Sequence, residues 1–117
     1  MKLSLEIRAR GELTIVYCQG RIAFREEAAA LSRRIADLLP QTRHLVLDLS
    51  GVEAIDSAGL GELVVVLMWA KSSGRGIKFA APRRQVYRML ELTNLTSVFE
   101  IHSTLEDAIL SCHGQVA

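Results

Sequence analysis

Cysteine is scarce in this sequence: Cys18 and Cys112 are the only two, and neither belongs to a C-x-x-C pair. A disulfide-stapled scaffold is thereby excluded, because such folds rely on several bridges. One long-range Cys18–Cys112 bridge stays open on sequence grounds, but in a cytosolic setting both thiols are expected to be reduced and inert. A surplus of charge of one sign is also missing. The chain has 14 Lys and Arg against 13 Asp and Glu, a formal charge of +1, so no bulk field draws it to nucleic acid or an anionic membrane. The densest basic group, Arg83, Arg84 and Arg88, reads as a solvated helix face. Long hydrophobic runs are absent as well. The longest, Leu63 to Ala70, is far too short to span a bilayer, and Leu3, Leu5 and Ile7 alternate as in a strand rather than a signal peptide. The expected location is the cytoplasm, with no direct membrane contact.

Catalytic motifs are equally sparse. There is no G-x-x-x-x-G-K-[ST] and no G-x-G-x-x-G, so the usual phosphate-cradling loops are missing. Ser57 lacks the G-x-S-x-G nucleophile elbow and has no recognisable histidine partner. His44, His102 and His113 show no metal-ligand spacing with each other or with the cysteines; His44 and His102 flank strands and are expected to be ordinary hydrogen-bonded histidines. Asp48 and Asp56 are expected to bond to nearby backbone rather than form a catalytic carboxylate pair. The expectation is a protein that is not an enzyme and carries no cofactor or metal.

What is present is the composition of an ordinary globular domain, 50% hydrophobic and 23% charged, with no linker, repeat or low-complexity stretch, so residues 1–117 are expected to form one domain. Leu3 to Arg8 and Leu13 to Gln19 flank Gly11 as an antiparallel hairpin, with Gly20 ending the second strand. Ala28, Leu31, Ile35, Leu38 and Leu39 follow helical spacing until Pro40 stops the run. Leu45 to Leu49 reads as a central buried strand. Ile77 to Ala81 and Val98 to Ile101 read as further strands. Pro82 suits a first helical turn, and Val86, Met89, Leu90 and Thr93 share a face of the helix after it. Ser103-Thr104-Leu105-Glu106 reads as a capping box for a last helix toward Cys112. The order β-β-α-β-α-β-α-β-α predicts an α/β domain: a mixed, mainly parallel sheet with helices packed on one face.

One segment has distinctive chemistry. After the strand and a short turn, Asp56-Ser57-Ala58-Gly59-Leu60 opens a helix, placing a small hydroxyl where free backbone N–H groups meet anions. The β-branched run Val64-Val65-Val66 argues locally for a strand, but the Asp56-Ser57 start and the Lys71-Ser72-Ser73-Gly74 exit favour a helix. At 100° per residue, Leu60, Leu63, Val64 and Leu67 should face the sheet. Ala58, Glu62, Val65 and Trp69 then fall on the opposite side, toward solvent or a neighbouring element, with Val65 and Trp69 as candidate interface anchors unless a flanking helix covers them.

The ordered set of Gly20 before the first helix, Leu47-Asp48-Leu49-Ser50-Gly51-Val52, Ile55-Asp56-Ser57-Ala58-Gly59-Leu60-Gly61, Ile77-Lys78-Phe79 and Leu90 to Leu95 before Val98-Phe99 resembles the STAS domain of bacterial anti-sigma factor antagonists over essentially the full chain. The resemblance implies that the partner is an anti-sigma factor that is also a serine kinase of the histidine-kinase-like ATPase fold. The unphosphorylated form would bind it and free a sigma factor, and phosphorylation of Ser57 would end binding. Asp56 would flank the acceptor and Gly59 would permit the close turn; with the outer stripe read from the helical wheel added to this turn, the expected partner-binding set is Asp56, Ser57, Ala58, Gly59, Glu62, Val65 and Trp69. Two departures stand out. Ala58 replaces a second hydroxyl, and Gly20-Arg21-Ile22-Ala23-Phe24 lacks the family's frequent aspartate before the first helix. Similar domains also serve as lipid-transport subunits and stress-signalling scaffolds, which are the alternative readings. A weak homodimer is left open.

Overall fold

The computed structural model describes residues 2–113; Met1 and residues 114–117, the two ends of the expected domain, lie outside them. Strands β1 (Ser4–Arg10) and β2 (Leu13–Ile22) form the expected antiparallel hairpin, with Ser4 opposite Gln19 and Arg10 opposite Leu13. There follow α1 (Arg25–Leu38), a 3-10 turn at Leu39–Gln41, β3 (His44–Ile55), α2 (Ser57–Ser72), β4 (Gly76–Ala80), α3 (Arg84–Leu92), β5 (Ile101–His102) and α4 (Leu105–His113). The strands lie in the order β1-β2-β3-β4-β5, and every pairing from β2 onward is parallel. This is the expected mixed α/β sheet.

Side chains alternate across a strand, so β3 feeds two cores. Leu45, Leu47 and Leu49 join Leu31 and Ile35 of α1, Leu60, Leu63 and Val66 of α2, and Leu90 of α3 in the larger core. Val46 meets Leu13, Ile15, Ala80, Ala108 and Cys112 in a smaller core on the other side. The helices are therefore not all on one face: α1, α2 and α3 cover one, and α4 packs on the opposite one. The physical reason is Val46 and Ala80, buried residues whose alternation points them away from α2 and which need a second apolar cover. Lys78 also lies on the α4 side, fully buried, with its ammonium 2.8 Å from Glu100; the same carboxylate oxygen sits 2.7 Å from Nε2 of His102.

Several boundaries differ from the sequence expectations. β3 runs on through Ser50-Gly51 to Ile55 because β2 continues beside it, the register shifting between Tyr17 and Gln19 and again between Gly20 and Arg21. Gly20 thus lies inside β2 instead of ending it. Its φ of +105° and the approach of the Lys2 carbonyl, 2.4 Å from where a Cβ would sit, demand glycine. The last strand is Ile101–His102, later than Val98 to Ile101, and α3 starts two residues after Pro82. The cap of α4 is Thr104, whose Oγ1 accepts from the Asp107 N–H at 3.0 Å, one residue later than the expected box. His102 is hydrogen-bonded as expected. His44 is not: it is buried and, among the described residues, neither ring nitrogen has a hydrogen-bond partner.

Candidate functional site

At the C-terminal ends of the parallel strands, three connections come together: β2–α1, β3–α2 and β4–α3. Asp56 organises the first two. Its Oδ1 accepts the Gly59 N–H at 2.9 Å, capping α2, and its Oδ2 accepts the Phe24 N–H at 2.9 Å across the site. These backbone donors, Phe24 first and Gly59 second, hold the Asp56 carboxyl below its ordinary value of 3.8. Gly59 is required for the approach of the two connections. A Cβ there would lie 2.0 Å from the Ile22 carbonyl oxygen, which itself accepts the Asp56 N–H at 3.4 Å. The third connection is tied to β3: Arg83 Nε donates to the Ser50 carbonyl at 2.9 Å, and the Gln85 amide donates to the Glu53 carbonyl at 3.1 Å.

Asp56 is the cap, and Ser57 is the first helical residue, exposed. Among the described residues its hydroxyl makes no hydrogen bond. A free hydroxyl on the first turn of a helix stands in the positive end of the helix dipole, where a negative group is tolerated. Asp48 plays a separate, local part: its Oδ1 accepts the Ser50 N–H at 3.0 Å within β3.

The expected site residues do not all converge. Asp56, Ser57, Ala58 and Gly59 form one turn. Glu62 is turned to α1, where its carboxylate accepts the Ser32 hydroxyl. Ala58, Glu62, Val65 and Trp69 share one helix face, so that contact turns the whole stripe toward α1, and Ala58 and Val65 are half-buried. Trp69 lies about 18 Å along the axis from Ser57, taking 1.5 Å per residue. It is 40% exposed and lines a groove of about 360 Å³ with Ala36, Leu39 and Pro40. The ridge of α2 that does carry Ser57 into solvent continues through exposed Gly61 and Met68. On the buried side, Leu60, Leu63 and Leu67 are as expected, while Val64 is only half-buried and Val66 and Ala70 complete the packing.

A model of the STAS domain matches residues 4–108 of this sequence. The chain belongs to the STAS domain family. Relatives from Thermotoga neapolitana and Thermotoga maritima are 35% and 40% identical over 71 and 65 residues. These matches cover 61% and 56% of this STAS domain chain but only 63% and 58% of the relatives' own length. The anti-sigma-F factor antagonist RsfB of Mycobacterium tuberculosis is 33% identical over 90 residues, 74% of this chain and 71% of that protein. Among solved structures, an anti-sigma factor antagonist from Mycobacterium paratuberculosis superposes with a TM-score of 0.82 at 27% identity, covering 94% of this chain and 93% of that one. Among the described residues, no helix is long and apolar enough to cross a membrane.

Sequence reading missed one prominent member of the site, Phe24. It is the N-cap residue of α1, with φ +64° and ψ 140°, and the residue is 64% exposed. That conformation is one that only glycine adopts freely and costs about 1–3 kcal/mol elsewhere. The signal was an apolar residue immediately before Arg25-Glu26-Glu27, where a capping Ser, Thr, Asp or Asn is the rule.

Proposed function

We propose that this STAS domain is an anti-sigma factor antagonist that works by partner switching and performs no catalysis of its own. In its unphosphorylated form it binds an anti-sigma factor that is also a serine kinase of the histidine-kinase-like ATPase fold, and so releases a sigma factor. Transfer of phosphate to Ser57 ends that binding. The observation that carries this reading is the division of labour at the start of α2: Asp56 caps the helix, leaving the Ser57 hydroxyl exposed and uncommitted. The names of the mycobacterial relatives support it.

The energetics suit a switch. A phosphoserine carries about −1.5 to −2 charges, which a helix N-terminus accommodates, so the domain stays folded. The same charge pressed into an interface is strongly unfavourable unless the partner neutralises it. The test is incubation of the purified chain with ATP and purified anti-sigma factor kinases from the same cell, followed by peptide mapping. Phosphate on the Ser57 peptide alone, and none on Ser57→Ala, is the expected result; equal labelling of Ser57→Ala refutes the reading.

A further inference from the structure

We propose that Phe24 is the apolar anchor of the partner surface, seated in an apolar pocket of the anti-sigma factor that docks over Ser57; this rests on the function proposed above. Three departures from local preference coincide in this residue. An aromatic residue stands 64% exposed, it occupies an N-cap without any side-chain cap bond, and its φ is +64°. Backbone strain of this kind persists only where the surroundings over-determine it, and it concentrates at functional sites.

Here the surroundings are explicit. The Phe24 N–H is held by Asp56 at 2.9 Å, its carbonyl accepts the Ala28 N–H at 3.0 Å, and Ile22 before it is fully buried. The clamp on Phe24 is the same carboxylate that caps the Ser57 helix, and Gly59 brings that helix onto the Ile22 carbonyl. The ring and the hydroxyl are thus carried on one rigid unit and meet a partner together. An aromatic side chain on a fixed backbone gives up little conformational freedom when it is buried, which is what binding anchors require. The pairing also sharpens the switch. With Phe24 seated, partner atoms close over the adjacent turn and exclude water, so a phosphate on Ser57 loses hydration that it would keep in a loosely packed contact.

The test is a calorimetric titration, without ATP, of full-length variants into the purified kinase that labels Ser57. Phe24→Gly should bind about tenfold more weakly or worse, with a thermal midpoint equal to or above wild type, because glycine accepts positive φ freely. Phe24→Leu should stay within about threefold of wild type. Affinity of Phe24→Gly within twofold of wild type overturns the anchor, as does a steep fall in its thermal midpoint at unchanged affinity. So does loss of a wild-type homodimer in Phe24→Gly with kinase affinity intact, which would make a second copy the occupant. Ser57→Asp in the same titration separates the two claims. Weak binding of Ser57→Asp beside normal binding of Phe24→Gly sinks the anchor alone, whereas normal binding of Ser57→Asp sinks the switch.

Discussion

Ser57 and Asp56 are neighbours with opposite commitments, and mutations should separate them. Ser57→Ala removes an exposed hydroxyl that bonds to nothing within the described chain, so stability should move by no more than about 0.5 kcal/mol in urea denaturation. Asp56→Ala removes a cap and the clamp on Phe24, and should cost about 0.5–2 kcal/mol for the cap alone. Asp56 also brings a pH dependence. Its folded value is depressed, so its contribution is complete above the ordinary value of 3.8 and is lost as pH falls through the lowered one. His44 acts in a higher window. Burial is the main influence lowering its pKa from 6.5, with the charges of Lys78, Arg43 and His113 assisting and Glu12 opposing. The unfolded chain therefore takes up this proton first, so the stabilisation is whole above pH 6.5 and drains away below it. Urea midpoints measured from pH 7 to pH 5 should fall for wild type and fall less for His44→Leu; identical slopes would remove His44 from the explanation.

At the scale of elements, the critical contact is α2 against the end of β2. Gly59→Ala places a methyl 2.0 Å from the Ile22 carbonyl, which is backbone and can move only with the sheet. The substitution should cost about 1–3 kcal/mol, read as a lower thermal midpoint, while Gly61→Ala, with nothing within 4 Å, should be neutral or mildly stabilising. The sequence already told helix from strand here: Val64-Val65-Val66 has strand propensity, but the Asp56 cap and the Ser72-Ser73-Gly74 exit were the better guide. Local patterns were also enough for the first hairpin, α1 and the parallel core. They failed where the deciding partner is remote in sequence. Ser50-Gly51 looks like a turn and is strand, because β2 pairs alongside it; the helical wheel left Glu62 and Trp69 open between solvent and a neighbouring element, and α1 is that element. Phe24 was hidden for the same reason, since its conformation depends on a carboxylate 32 residues later.

For the molecule as a whole, the two-faced sheet decides the chemistry of the thiols. Cys18 belongs to the core beneath α1, α2 and α3, and Cys112 to the one beneath α4, so the sheet lies between them and the open Cys18–Cys112 bridge does not form. Burial, with help from Asp48, pushes the Cys18 thiol up to about 12, and burial raises that of Cys112 as well. An aromatic disulfide reagent at pH 8 should therefore label neither thiol in the folded protein and both in urea; rapid labelling of native Cys18 would contradict the packing. Ser57 sits at the rim of the larger core, between buried Ile55 and Leu60, with its own side chain exposed, so charge can be added to its hydroxyl without entering the packing behind it. The most direct test of that claim is the dissociation constant of the purified kinase for the unmodified chain and for the same chain phosphorylated on Ser57, with thermal midpoints measured in parallel. The expected result is binding weakened by about a hundredfold or more, as for an unpaired charge buried in an interface, with midpoints only a few degrees apart. Equal affinity of the two forms, or a phosphorylated chain that has lost its fold, would contradict it.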